Sequence, residues 1–126
     1  MTDVTARKDE HDAHPVPTAW RPMLTAIANA FARGDYSLAA ALPDIDPVEP
    51  PTAAQVRYAV ESYGATLVPL PEATWETSIC QWYGSHWEVL VDLWTAEEGP
   101  SDLVLQSRVY EVSGGVRCRV DLVYVP

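Results

Sequence analysis

Cysteine is nearly absent from the chain. Cys80 and Cys118 are its two thiols, too few and too far apart for a disulfide framework or a zinc ligand set. Both fall in apolar strand patterns, where a free cysteine behaves as a small hydrophobe. Cations are scarce as well: 8 Lys and Arg face 18 Asp and Glu, a formal charge of −10. That balance opposes contact with a phosphate backbone and argues against nucleic acid as a partner. No apolar run approaches the roughly 20 residues of a membrane-spanning helix, and the opening MTDVTARKDEHDAH contains no signal-peptide stretch. A soluble, cytoplasmic protein without a membrane partner is expected. Glycine is sparse, at 6 residues, and forms no phosphate-cradling loop; Ser78, Ser101 and Ser107 lack the flanking glycines of a nucleophile elbow. The motifs therefore indicate no catalytic residue, no cofactor and no metal.

What remains is one domain with a clear division. The 126 residues suffice for a single hydrophobic core. Residues 1–17 are polar, carry charges of both signs and end in HPVP, the composition of a flexible tail, which leaves residues 18–126 as the folded unit. From Thr18, a cap residue, Trp20, Met23, Leu24, Ile27, Ala28, Ala30 and Phe31 recur at helical spacing until Gly34. YSLAAAL (36–42) predicts a short helical turn, and DIDPVEPP an extended connector. Thr52 reads as the cap of a second helix carrying Val56, Tyr58, Ala59, Val60 and Tyr63 as apolar positions, with Gly64 at its exit.

Beyond Gly64 the period shortens from 3.6 to 2. ATLVPL (65–70) suits a sheet edge, and WETSICQWY, HWEVLVDLWT, DLVLQSRVYEV and VRCRVDLVYV read as longer strands joined by short turns. Sequential antiparallel pairing follows. On the last strand Val116, Cys118, Val120, Leu122 and Tyr124 alternate inward, and a tight Ser-Gly-Gly turn would set Glu111 opposite Arg117. The predicted fold class is α+β: two N-terminal helices packed on an antiparallel β-meander of four to five strands.

Charge and tryptophan carry the functional signal. Between Arg33 and Arg108 the chain holds twelve acids and one base, Arg57; such a field keeps a protein soluble and also speeds the approach of a basic partner. Four of the five tryptophans, Trp75, Trp82, Trp87 and Trp94, fall within one stretch. Regular alternation would put Trp75 and Trp82 on opposite faces, leaving some aromatic surface outside the core. Exposed indoles ringed by acids are interface anchors, so Trp82, His86, Trp94, Glu97, Glu98 and Asp102 are the candidate partner-binding residues. The reading from another class is a small-molecule-binding module or enzyme whose pocket, between helices and sheet, uses Tyr58, Trp87, Asp92 and Arg108. A homodimer joined through an exposed sheet face is a third reading.

The segment WEVLVDLWTAEEGPSDLVL (87–105), with ARGDY (32–36) upstream, resembles a small bacterial domain family of unknown function, and with the helices the likeness spans roughly residues 20–125. It implies the same α+β fold and transfers no activity. Small acidic proteins of this kind also resemble the cytosolic immunity proteins that neutralise polymorphic toxins, a likeness that implies an immunity-type inhibitor of a basic toxin and maps no binding residue onto this chain.

Overall fold

The alternation past Gly64 becomes a five-stranded antiparallel sheet, and the amphipathic stretches before it become two helices on one of its faces. The computed structural model describes residues 3–126. Strand β1 (His14–Pro15) lies at one edge, followed by β2 (Ile79–Trp82), β3 (Trp87–Thr95), β4 (Gly99–Val112) and β5 (Gly115–Tyr124), in the spatial order β1-β2-β3-β4-β5. All neighbours are antiparallel, and no helix is long and apolar enough to cross a membrane.

Helix α1 (Arg21–Ala32) buries Leu24, Ile27, Ala28, Ala30 and Phe31, and helix α2 (Pro50–Tyr63) buries Val56 and Val60. They meet the face of β3 that carries Trp87, Val89, Val91 and Leu93, together with Leu105, Val109, Cys118, Val120 and Val123. Each fully buried aliphatic or Phe side chain contributes about 1.5–3 kcal/mol relative to exposure. The other face carries no helical layer. Glu88, Leu90, Asp92 and Trp94 alternate onto it from β3, and all four are half-buried.

Several local expectations are corrected. Residues 1–17 are not wholly outside the core, because Val16 and Pro17 are buried and β1 pairs with β2. Thr18 begins a 3-10 turn (Thr18–Trp20) instead of capping α1, its hydroxyl accepting the Val4 N–H at 2.8 Å. Helix α2 starts at Pro50, with Glu49 as its cap residue; proline suits a first turn because its missing N–H would have no helical partner there. Residues 36–42 form turns and not a helix: Leu38 is left-handed at φ 54° and buried, while Asp35 accepts the Ala39 N–H.

In the sheet half, Trp75 sits in a 3-10 turn (Glu72–Glu76), so the alternation argument relating it to Trp82 does not apply. The Thr74 hydroxyl donates to the Asp92 carbonyl and the Ser78 hydroxyl to the Thr74 carbonyl, side-chain bonds that compete with ladder pairing and delay the strand until Ile79. Residues 65–70 contribute an isolated bridge, Leu67 to Thr95. The β4–β5 loop is two residues long, so Tyr110 faces Arg117 and Glu111 faces Val116; Glu111 instead pairs with Lys8 at 2.7 Å. A register shift then leaves Asp121 unpaired between Val120, opposite Ser107, and Leu122, opposite Gln106. This bulge puts Val123 in the core in place of Leu122 and Tyr124.

Candidate functional site

The six candidate partner-binding residues separate into two groups at opposite ends of β3, roughly 25 Å apart at about 3.3 Å per residue. Trp82 and His86 flank the β2–β3 hairpin. Trp94 is the penultimate residue of β3, and Glu97, Glu98 and Asp102 lie on or just past the β3–β4 turn.

At the turn end the carboxylates are exposed and held by backbone and hydroxyl groups. Glu97 accepts the Thr66 N–H at 2.8 Å and its hydroxyl at 3.1 Å, and the N–H groups of Thr66 and of Glu97 itself hold this carboxyl below its usual range. The Glu98 N–H donates to the Thr95 hydroxyl. Tyr63, at the end of α2, accepts the Asp102 N–H at 3.1 Å. That bond favours the phenolate, but the Glu98 carboxylate, burial and the Asp102 charge outweigh it and raise the phenol above its ordinary value. Glu61 lines a cavity shared with Thr66 and Arg33. Among the described residues no cation lies within 4 Å of Glu61, Glu97, Glu98 or Asp102. Of the twelve acids between Arg33 and Arg108, Asp46 is the one that forms an ion pair among the described residues. The negative charge of this region is thus left for solvent or a partner.

The hairpin end is aromatic. Trp87 is buried, meets Trp20 edge-on at 5.0 Å between ring centres and Trp82 at 4.5 Å, and leaves Trp82 half-buried. Lys8 stands 5.1 Å from the centre of the Trp82 ring. Tyr83, exposed, stacks on His86, whose Nδ1 is 2.9 Å from the Ser85 hydroxyl. Trp20, Trp75 and Trp87 belong to the core, whereas Trp82 and Trp94 reach the surface in part.

Tyr58, Trp87, Asp92 and Arg108, the alternative pocket set, do not share a wall. Tyr58 is 74% exposed on α2, and Trp87 is 3% exposed in the core. Asp92 and Arg108 lie on the far face of the sheet, Asp92 accepting from the Thr77 hydroxyl. Both thiols are sealed in: burial pushes Cys80 up to about 11 and Cys118 up to about 12. Among the described residues no three His, Cys, Asp or Glu side chains are grouped to hold a metal ion.

Glu88, Asp92, Arg108 and Arg119 are expected from the strand pattern to form a polar cluster on the sheet; the far face adds to Arg108 and Arg119 a centre at Asp46 that sequence reasoning did not assemble. Asp46, from the connector before α2, accepts Arg117 Nε at 2.7 Å and the Tyr110 hydroxyl. Burial opposes its charge, but the Tyr110 and Arg117 bonds prevail and hold the carboxyl below its usual range. The connector reaches this position by lying parallel to β5, with Asp46 N–H donating to the Cys118 carbonyl and Cys118 N–H to that of Asp44. Beside it, Asp121 meets Arg108 at 3.3 Å and Arg119 at 3.9 Å. The alternation of Arg117, Arg119 and Asp121 marks their face in the sequence; nothing in DIDPVEPP announces that Asp46 joins them.

No curated protein and no solved structure matches the chain. The segment before residue 28, which supplies Val16, Trp20, Leu24 and Ile27 to the core, lies outside the region of family likeness. A family model described as Domain of unknown function (DUF7668) matches residues 28–126, and on that coverage the chain belongs to this family.

Proposed function

We propose that the protein is a non-enzymatic interaction domain that docks a basic protein partner on the acidic end of its sheet, around Glu97, Glu98 and Asp102, with Trp94 at the margin. An immunity-type inhibitor of a basic toxin is the specific form of this reading. The observation that carries it is the absence of any cation within 4 Å of these three carboxylates among the described residues. The Glu97 carboxylate is held by the Thr66 N–H and hydroxyl, and the backbone N–H groups of Glu98 and Asp102 by Thr95 and Tyr63, so little ordering entropy is lost when a partner's lysines or arginines arrive. Such a field steers association and fixes orientation, and its effect weakens as salt screens it. Trp82 and His86 at the other end would contact only a partner long enough to span the sheet.

Titration of the protein against the product of the adjacent gene, at low and physiological salt, tests this. Binding that weakens with salt and is lost in the E97K/E98K variant is expected. No binding, or binding indifferent both to salt and to the double reversal, overturns it.

A further inference from the structure

We propose that the uncovered face of the sheet carries a binding site for a small dianionic oxyanion of the phosphate class, formed by Arg108 and Arg119. The two residues are direct register partners on β4 and β5, a placement in which like charges repel unless an anion lies between them. Asp121 supplies one carboxylate for both, its Oδ2 accepting from Arg108 Nε and its Oδ1 3.9 Å from Arg119 Nε. Among the described residues Arg108 donates a side-chain hydrogen bond through Nε alone, and Arg119 donates none. Two planar guanidinium forks thus retain terminal donors on one side of the sheet.

These forks border a cavity of about 280 Å³, whose walls also include Ser85, His86, Tyr110 and Asp46. Asp46 is engaged by Arg117 and Tyr110. Glu88, the register partner of Arg108 on β3, forms no ion pair with it. Around this cavity the ion-paired groups are three guanidiniums, Arg108, Arg117 and Arg119, against two carboxylates, Asp46 and Asp121. With Glu88 on the same face the charges balance, three against three, so in a chain of charge −10 this patch is locally neutral instead of acidic. A carboxylate has two oxygens and one charge, which Asp121 already divides between the two arginines; a phosphate dianion brings three or more oxygens and a second charge, enough to accept from both forks at once, which selects the phosphate class over a monocarboxylate.

The test is an amide chemical-shift titration of the full chain at fixed ionic strength with inorganic phosphate, with O-phosphoserine and, as the single-charge control, acetate. Saturable shifts centred on residues 85–86, 106–110 and 117–121 are expected, with acetate weaker than phosphate. R119Q, at an exposed side chain that folding tolerates, is expected to weaken binding about tenfold, the loss of a charge-assisted contact. R57Q, on the helical side, leaves binding unchanged, and D121N tightens it by freeing both forks. Phosphoserine binding as tightly as phosphate assigns the site to monoesters, and phosphate binding alone assigns it to the free ion. Linear shifts, acetate equal to phosphate, unchanged binding in folded R119Q, an equal loss in R57Q, or no tightening in folded D121N would each overturn the proposal.

Discussion

Trp87 donates its indole N–H to the carbonyl of Arg7 at 2.9 Å, across 80 positions of sequence. The acceptor comes from a largely polar segment that, among the described residues, has no helix before residue 18. That segment is anchored at further points: Thr18 N–H donates to the Val4 carbonyl, and Gln81 Nε2 to that of Glu10 at 2.9 Å. A donor on an indole packed against those of Trp20 and Trp82 thus depends on a stretch whose composition alone predicts a free tail.

Deletion of residues 1–13 is expected to lower stability by about 1–3 kcal/mol, the magnitude of leaving a shielded donor without its partner. At roughly 4 °C of Tm per kcal/mol for a domain of this size the loss is visible in a thermal melt. Hydrogen exchange localises it: amides of the β2–β3 hairpin should exchange faster, with little change in β4 and β5. An unchanged Tm would mean that the segment adds nothing to the fold.

D46N tests the junction between the connector and the sheet. Loss of the charge acceptor for Arg117 and Tyr110 is expected to destabilise by about 1–3 kcal/mol at pH 7. The carboxyl lies lower in the folded protein than its ordinary 3.8. Its stabilisation is therefore complete above about pH 4 and is lost as pH falls through the lower native value. Urea unfolding of both proteins from pH 7 to pH 2 should show the gap between them closing below pH 4, and a gap independent of pH would assign the effect to packing.

The buried thiols act at the opposite end of the pH scale. Raised from 9.0 to about 11 and about 12, Cys80 and Cys118 stay neutral in the folded state after unfolded thiols have ionised. Their contribution to stability is complete below about pH 9 and is lost as pH rises through the native values. C118A is expected to flatten the decline in stability between pH 9 and pH 11. At pH 8 neither thiol should react with an aromatic disulfide reagent until the chain is unfolded, because attack requires an accessible thiolate.

The helices and the meander were legible because hydrophobic period is a local signal: Leu24, Ile27 and Phe31 at 3.6, then Val89, Val91 and Leu93 at 2. Features set by partners distant in sequence were not. The bulge at Asp121 depends on how β5 meets Gln106 and Ser107, and it changes which of Leu122 and Val123 is buried. Likewise the grouping of Asp46 with Arg117 requires the connector to add to the edge of β5. Glu97, Glu98 and Asp102 fall together at the β3–β4 turn because they are neighbours in sequence. Trp82 and His86 were placed with it by composition, and the length of β3 separates them from it.

Trp94 and Trp87 should respond to the same substitution to different extents. Trp87 is buried and its N–H is satisfied, so W87F removes a hydrogen bond and leaves a void among rings, with an expected loss of about 1–3 kcal/mol. Trp94 is half-buried, and its Nε1 is shielded without a hydrogen-bond partner among the described residues. W94F gives up ring area but also removes that unpaired donor, so the two terms offset and the net change is expected to stay under about 1 kcal/mol. A tryptophan that contributes little to folding yet borders unpaired carboxylates has the character of a binding anchor. If it contacts the basic partner, W94F should weaken the complex by about 2 kcal/mol, in the range of interface hot spots, while the Tm barely moves. Equal losses of affinity and stability would place Trp94 with the core instead.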